Sequence, residues 1–339
     1  MCHGLYRFAN APSSNYLPKM VVSPKVSVII PSYNHAAYLS QRIESILYQT
    51  YTDFELIILD DCSPDNSREI ISRYAAAHAN VQAIFNEVNS GSTFFQWKKG
   101  LALAKGKYLW VAESDDFAEP TFLAQLVPLL EADATIAMAY CNSTIVDENN
   151  RPTGKTATWK NESFHTTHWD DDFLVDGRTE LDHYLSKTCT VNNASSVLFR
   201  KQALLDAGGV DTGYRFTGDW LMYQKLCLQG RIAYKGSCLS NYREHNNNAS
   251  KRDVDSKALL ERQKCFAFAF DKVLSPMAKQ ELLRLASREF LAITYNLLRR
   301  TWKPTLFLTY IREICAVNLR FYGQLQLRTI QLITTRAYS

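Results

Sequence analysis

The stretch that decides the fold is VSVIIPSYNHAAYLSQRIESILYQTYTDFELIILDDCSPDNS, from Val26 to Ser67. It opens on a short apolar, β-branched run, VSVII, which predicts a buried strand. Leu39, Ile43 and Ile46 then recur at the spacing of one helical face. A second apolar run, FELIILD, predicts another strand, and the turn-forming DCSPDNS follows it. The order strand, helix, strand indicates an α/β layer built on a largely parallel sheet.

The same alternation continues outward from this stretch. VQAIF (81–85) and KYLWVA (107–112) predict two more strands, with a helix from Trp97 to Leu103 between them. The next part is less regular, with strands expected at IAMAY, SSVLF and near RIAY and a helix over 220–228. From about residue 256 the pattern becomes helical, so we expect a C-terminal helical extension.

Three polar loops follow strands of this predicted sheet. PSYNH follows the first strand, DDCSPDN the second and ESDD the fourth. Ligands of open parallel sheets bind beyond the carboxyl ends of the strands. We therefore expect the three loops to meet at one edge of the sheet.

The acids of ESDD, residues 113–116, need a positive partner, because neighbouring carboxylates repel one another in a low dielectric. A divalent metal is the simplest candidate, and the hard oxygens of Asp115 and Asp116 suit Mg²⁺ or Mn²⁺. The alternative is an N-cap for a helix in FAEPTFLAQLVPLL. Asp60 and Asp61, at a neighbouring strand end, favour the metal, because two acid pairs exceed what capping requires.

Composition bounds the class of protein. At 339 residues, 46% hydrophobic and 21% charged, the chain is globular, with one large domain or two moderate ones, and not disordered or coiled coil.

The net charge of +4 divides into +7 from Lys279 onward and −3 before it. A basic C-terminal part suits an anionic membrane surface, or a solvated helical face, better than nucleic acid. Eight scattered cysteines without a CxxC pair indicate reduced thiols and the cytosol.

The Val26–Ser67 stretch, together with ESDD, resembles the family-2 glycosyltransferases over roughly residues 24 to 250. The resemblance implies a GT-A fold: a Rossmann-like α/β domain with a central mixed, largely parallel sheet flanked by helices. It also implies an inverting transfer from a nucleotide-sugar donor. We therefore expect a flexible leader (1–23), a nucleotide-sugar-binding half (24–135), an acceptor-binding and catalytic half (136–255) and a basic amphipathic helical tail (256–339).

Site residues follow from the resemblance position by position. It implies that Pro31, Ser32 and Tyr33 border the base of the donor and that Asp61 hydrogen-bonds to it. Asp115 would lie by the ribose and diphosphate.

The metal and catalytic roles follow in the same way. The resemblance implies that Asp116 binds the metal, Mn²⁺ or Mg²⁺. TGDW (217–220) resembles the family's catalytic motif, with Asp219 as general base, and YREHNNNAS (242–250) resembles the segment whose histidine, here His245, joins the metal or the diphosphate.

Two positions depart from the family pattern. Where many members carry an Arg-Asn pair this chain has QWKKG, in which Lys98 is the candidate to supply a positive charge to the donor. Glu113 replaces the first acid of the usual string and has no assigned role. HTTHWDDD (165–172) contains two histidines and three acids, but we expect an exposed loop rather than a metal site there.

The leading hypothesis is a metal-dependent inverting glycosyltransferase that uses a UDP- or dTDP-sugar. Such a transfer needs a carboxylate to take the acceptor's proton and a cation to stabilise the departing diphosphate. The expected acceptor is a glycan or lipid-linked saccharide of a bacterial surface polysaccharide, reached from the cytoplasm at the inner face of the membrane. The alternatives are a nucleotidyltransferase and a non-catalytic nucleotide-sugar-binding protein, and Asp219 could be only a helix cap.

Overall fold

The computed structural model of the chain describes residues 23–245, 256–300 and 304–337. The predicted leader, apart from its last residue, and the NNNAS part of YREHNNNAS lie outside the described residues. The strands are β1 Val26–Ser32, β2 Phe54–Asp60, β3 Val81–Phe85, β4 Tyr108–Val111, β5 Phe117–Ala118, β6 Ile136–Val146, β7 Pro152–Lys155, β8 Phe173–Asp176, β9 Val197–Arg200 and β10 Arg231–Arg243. The helices are α1 Ala36–Leu47, α2 Ser67–Ala77, α3 Thr93–Leu103, α4 Phe122–Ala132, α5 Thr156–Phe164, α6 Gly177–Glu180, α7 Lys201–Asp206, α8 Gly218–Leu226, α9 Ser256–Lys272, α10 Pro276–Arg300, α11 Pro304–Val317 and α12 Leu319–Ala337.

One mixed sheet runs through the GT-A-like part of the chain. Its strand order is β3-β2-β1-β4-β9-β6-β10-β5, with β7 on β6 and β8 on β10. β3, β2, β1 and β4 are parallel, whereas β9 runs antiparallel to both of its neighbours. Ser32 at the end of β1 pairs with Asp60 at the end of β2, which brings the PSYNH and DDCSPDN loops together.

The central strands are buried on both faces, which explains their continuous apolar runs. Alternate residues of β1 enter different cores: Val28 and Ile30 pack with α1 and α4, and Ile29 packs with the opposite layer. The sheet is thus covered by helices on both sides, as the α/β pattern predicted.

The C-terminal helices share a core with the sheet. Phe266 and Phe270 of α9, Leu282 and Phe290 of α10 and Phe321 of α12 are at most 5% exposed and belong to the same apolar cluster as Ile29. Across the part of the chain that the structure describes, no helix combines the length and the apolar character needed to cross a membrane.

The HTTHWDDD segment is a loop, as expected, and five of its eight residues are exposed, but its centre packs into the core. Trp169 is fully buried, and its indole donates a 2.9 Å hydrogen bond to the Tyr140 hydroxyl. His168 stacks on Phe173 and Tyr184, with ring centroids 4.0 and 4.7 Å away. The prediction missed only this packing: His168 and Trp169 lie among aromatic side chains of β6, β8 and Tyr184, whereas the residues around them are mostly exposed.

Candidate active site

A cavity of about 520 Å³ lies at the carboxyl ends of β1, β2 and β4. Its position follows from the parallel order of these strands, which places their three polar loops at one edge. The residues that line it are Pro31, Ser32, Tyr33, His35, Asp61, Asn89, Gly91, Ser92, Thr93, Gln96, Glu113, Ser114, Asp115, Arg215 and Phe216. The structure therefore brings the PSYNH, DDCSPDN and ESDD loops together, and two further segments, residues 89–96 and the residues before α8, complete the wall.

Asp61 organises one end of the cavity. Its carboxylate accepts hydrogen bonds from Asn86 Nδ2 at 2.7 Å, Ser90 Oγ at 2.7 Å and Gln96 Nε2 at 2.8 Å. The main-chain N–H of Ser90 donates to it as well, at 2.9 Å. Asp61 thus fixes the NEVNSGS loop (86–92) against α3. Tyr33, which also lines the cavity, is 46% exposed.

The ESDD turn does not cap a helix. β5 follows directly, and the N-cap of α4 is Thr121, five residues after Asp116. Asp115 instead meets two histidines: His245 Nε2 donates a 3.1 Å hydrogen bond to Asp115 Oδ2. Ligand atoms of Asp115, His245 and His35 all lie within 4.8 Å of one another.

Asp116 lies behind this group and is 3% exposed. Its Oδ1 accepts from the main-chain N–H of Arg243 at 2.9 Å, and its Oδ2 accepts from Asn193 Nδ2 at 3.0 Å. Protein donors therefore engage both oxygens, whereas Asp115 lines the cavity. The structure brings Asp115, rather than Asp116, to His245.

A buried arginine supplies the positive charge that the acids need. Arg42 of α1 is fully buried, with its guanidinium carbon 5.0 Å from the centre of the Trp110 ring. None of its guanidinium nitrogens has a hydrogen-bond partner among the described residues. The charges of Asp116, Glu113 and Asp115 act on Arg42, but burial outweighs them and lowers its pKa to about 10, so it remains a cation at neutral pH.

Asp219 lies in the first turn of α8, next to the segment that lines the cavity. Arg215 and Phe216 belong to the cavity wall, and α8 begins two residues after Phe216. Asp219 Oδ1 accepts a 2.8 Å hydrogen bond from the N–H of Trp220. Burial raises the pKa of Asp219 to about 6, which is suited to a group that exchanges protons near neutral pH.

Lys98 is not placed to bind a donor in the cavity. It is exposed on α3, two residues from the cavity-lining Gln96. Positions two apart on a helix point about 200° apart, so Lys98 faces away from Gln96. The QWKKG segment contributes Trp97 instead, whose indole N–H donates to Glu113 Oε1 at 2.8 Å.

Comparison with known proteins decides the family. The model of Glycosyl transferase family 2 matches residues 27–206, more than half of the chain. The chain belongs to this family. It is therefore a nucleotide-sugar-dependent glycosyltransferase, as the sequence predicted.

Individual relatives match different shares of the chain. The glycosyltransferase GlyG of Streptococcus pneumoniae is 27% identical over 241 residues, which are 69% of this chain and 75% of GlyG. The teichuronic acid biosynthesis glycosyltransferase TuaG of Bacillus subtilis, a putative assignment, is 39% identical over 93 residues, 27% of this chain and 36% of TuaG. The chain thus matches about a third of the length of the second relative.

Solved structures confirm the fold of the glycosyltransferase. S. aureus TarS 1–349, determined in complex with UDP-GlcNAc, superposes with a TM-score of 0.67 at 19% identity. The superposition covers 91% of this chain and 88% of TarS 1–349. The GT-A fold and its helical C-terminal part are therefore common to both proteins.

The acids of the glycosyltransferase's ESDD turn differ in charge. Burial and the charge of Asp115 raise the pKa of Glu113 to about 8. Burial also acts to raise the pKa of Asp115, but the hydrogen bond from His245 and the charge of His35 outweigh it and lower that pKa. Burial and the Asp115 charge raise the pKa of Asp116. Asp115 is therefore the acid of this turn that stays ionised to the lowest pH.

Sequence analysis missed several residues of the site, among them two that carried a signal. His35 ends the PSYNH loop that was identified as a site loop, so its position at a strand end was the available signal. Arg42 occupies the buried face of α1 between Leu39 and Ile43, where a charge in an apolar stripe marks a buried ion.

Proposed function

We propose that this glycosyltransferase moves a sugar from a UDP- or dTDP-sugar to a hydroxyl of a surface glycan or lipid-linked saccharide. The observation that carries the proposal is the convergence of Asp115 and its two histidines on a cavity whose other end is organised by Asp61. The base of the donor would lie by Tyr33 and Asp61, with its edge between Pro31, Ser32 and the NEVNSGS loop. The diphosphate would lie by Asp115.

A divalent cation fits the residues at the diphosphate end. Asp115, His245 and His35 offer one carboxylate and two imidazoles, a donor set that suits Mn²⁺ better than Mg²⁺, which prefers oxygen ligands. A cation bound there would neutralise charge on the departing diphosphate. We place Asp116 outside this set, because protein donors engage both of its carboxylate oxygens.

The proposed chemistry is a single displacement. The acceptor oxygen bonds to the anomeric carbon while the bond from that carbon to the diphosphate oxygen breaks, and its electron pair leaves with the diphosphate. Asp219 takes the acceptor's proton, so it must be ionised before the step. In this proposal the 136–255 part of the chain, which carries Asp219, binds the acceptor, and the 24–135 part binds most of the donor, with His245 of the other part at the diphosphate end.

The acceptor class is inferred from the relatives. TuaG is named for teichuronic acid, and TarS was crystallised with UDP-GlcNAc, so a UDP-sugar and a cell-envelope polymer are the first candidates.

We also propose that the enzyme works at the cytoplasmic face of the membrane, touching anionic lipid through the C-terminal helices. Leu308, Leu319 and Leu327 are each at least 65% exposed there, and Arg312 and Arg320 are exposed beside them.

Thermal unfolding with nucleotide diphosphates and nucleotide sugars, with and without Mn²⁺, tests the donor site. We expect a stabilisation that needs both ligands, because binding to the folded state alone raises its stability by mass action.

Asp219→Asn should keep this stabilisation, and its rate of sugar transfer should fall by about a hundredfold or more, the usual contribution of a general base. Its midpoint should equal or exceed that of the wild type, since the buried carboxylate is removed.

The outcomes separate the alternatives. Full transfer activity in Asp219→Asn would reject the base assignment. Donor binding without any turnover of the wild type, over a panel of acceptors, would favour a non-catalytic binding protein. If the protein, given a nucleoside triphosphate and a sugar phosphate, releases pyrophosphate from the triphosphate, the result would favour a nucleotidyltransferase.

A further inference from the structure

A carboxylate from the C-terminal helices holds the segment that precedes α8. Glu261 of α9 is 2% exposed. Its Oε1 accepts the N–H of Arg215 at 2.8 Å, and its Oε2 accepts the N–H groups of Phe216 at 2.7 Å and Thr217 at 3.0 Å. Hydrogen bonds to an ionised acceptor are about twice as strong as neutral ones, so three of them fix the backbone of residues 215–217.

The same face of α9 also holds the start of α8. The guanidinium carbon of Arg262 lies 5.6 Å from the centre of the Trp220 ring, and the ring of Phe266 meets Trp220 edge-on at 5.3 Å. The thiol of Cys265 contacts the carbonyl oxygen of Thr217 at 3.7 Å. Residues on both sides of Asp219 are therefore positioned by a helix outside the matched family region, which ends at residue 206.

The segment that Glu261 holds contributes a cationic side chain, Arg215, to the cavity wall. The cavity wall includes the acids Asp61, Glu113 and Asp115, and Arg215 is the one arginine or lysine among its described residues. The Arg215 side chain is exposed, with its guanidinium carbon 5.8 Å from the centre of the Phe216 ring. A diphosphate entering an acidic cavity needs such a cation, and a guanidinium can bind two phosphate oxygens at once.

We propose that residues 215–217 form a diphosphate clamp, in which Arg215 binds the donor's diphosphate and Glu261 is the positioning residue that holds Arg215 in place. The proposal rests on the proposed function, because it requires a nucleoside diphosphate in the cavity. It gives the C-terminal helices a role in donor binding. It also replaces Lys98 as the source of positive charge.

Calorimetric titration with UDP, dTDP and GDP, each beside its parent nucleoside and in the presence of Mn²⁺, tests Arg215. Arg215→Ala should weaken diphosphate binding by about tenfold or more, the usual effect of losing a charge-assisted contact, and leave nucleoside binding unchanged. Arg215→Lys should recover part of the loss, since lysine keeps the charge without the planar fork. Arg178→Ala, which removes another exposed arginine, is the control and should bind as the wild type does.

Glu261→Gln tests the positioning role at a temperature well below the midpoint of the variant. A neutral amide holds three N–H groups less firmly, so the preference for diphosphate over nucleoside should fall toward that of Arg215→Ala. Glu281→Gln is the matched control, because the partner of Glu281 is the Arg284 side chain on α10. Combining Glu261→Gln with Arg215→Ala should add little further loss, because both act on one contact.

Three results would overturn the proposal. If the wild type binds a diphosphate and Arg215→Ala binds it equally well, the clamp is rejected while the proposed function stands. If Glu261→Gln lowers only the thermal midpoint and keeps the diphosphate preference, Glu261 is structural and the positioning role is rejected. If the wild type binds no nucleoside diphosphate, the proposed function and the clamp both fail.

Discussion

Asp219 combines burial with a hydrogen bond from Trp220, and burial dominates its acidity. Its pKa is raised to about 6 from an ordinary value of 3.8. A base with that pKa is ionised at neutral pH and loses its function as the pH falls. The single residue therefore sets the acid limb of the pH profile in the proposed mechanism.

We expect kcat at saturating donor and acceptor to be level above about pH 7 and to fall with decreasing pH below about 6, approaching tenfold per pH unit, because protonated Asp219 cannot accept a proton. Initial rates between pH 5 and 8 measure this limb. Nucleoside diphosphate titrations at each pH control for ionisation of Asp115, Asp116 and Glu113 in the donor site. A rate that stays constant from pH 7 to 5, with the protein folded, would contradict the base role.

Individual residues also show where sequence reasoning stops. ESDD called for a positive partner, and the sequence suggested a metal; the structure adds Arg42, which is buried and whose charge acts on Asp116. Arg42 was visible as a charge within the apolar stripe of α1. Arg215 and Glu261 carried no such signal, because their relation depends on the packing of α9 against α8.

At the level of elements, the short apolar runs were the most informative part of the sequence. β2 and β3 have the predicted bounds, since both are apolar runs closed by turn residues. β1 extends two residues beyond VSVII, because Pro31 and Ser32 still pair with β2. The length of β10 was missed, because its register shifts around Lys235 to Ser240 interrupt any simple pattern.

The loop that precedes β4 packs against the backbone of β1 so closely that no side chain fits between them. A methyl group at Gly106 would lie 2.5 Å from Ser27 N and 2.7 Å from Val26 C, both backbone atoms of β1. Gly106→Ala must therefore separate β1 from the chain that leads into β4. Because β1 carries Pro31 and Ser32 into the cavity, the strain reaches the site.

We expect Gly106→Ala to lower the free energy of unfolding by about 2 kcal/mol or more, as overpacking of a tight contact does. Urea unfolding measures the change. Gly323→Ala is the control: no atom lies within 4 Å of the added methyl group, and α12 should gain about 0.5–1 kcal/mol from alanine's helix propensity. Equal stability of the two variants would show that β1 can move away at little cost.

At the scale of the whole molecule, the basic C-terminal helices contribute buried residues to the core and exposed residues to the surface. Its inner side joins the apolar cluster of the sheet, and Glu261 reaches the segment before Asp219. Deleting residues 279–339 would remove the buried Leu282 and Phe321, expose Phe270 of α9, whose ring meets that of Phe321, and so confound any binding assay. The membrane proposal is therefore tested with surface substitutions.

Flotation with vesicles of phosphatidylcholine, with and without phosphatidylglycerol, measures the membrane contact. Wild type should float with the anionic vesicles and less so in high salt, because exposed charges are screened. Reversing Arg312 and Arg320 to glutamate should reduce binding by at least about tenfold, since each surface cation contributes about 1 kcal/mol at an anionic bilayer. Leu319→Ser with Leu327→Ser should reduce it through lost apolar burial.

The control variants make single changes of the same kinds elsewhere on the surface. Lys98→Glu reverses an exposed cation on α3, and Leu205→Ser removes a 45% exposed leucine on α7. Both should float as the wild type does, because binding is proposed for one face of the molecule. If they lose as much flotation as the Arg312 and Arg320 variants, net charge and general apolarity govern binding, and the C-terminal helices are not the membrane-contacting surface. If none of the variants differs from wild type, the surface is rejected outright.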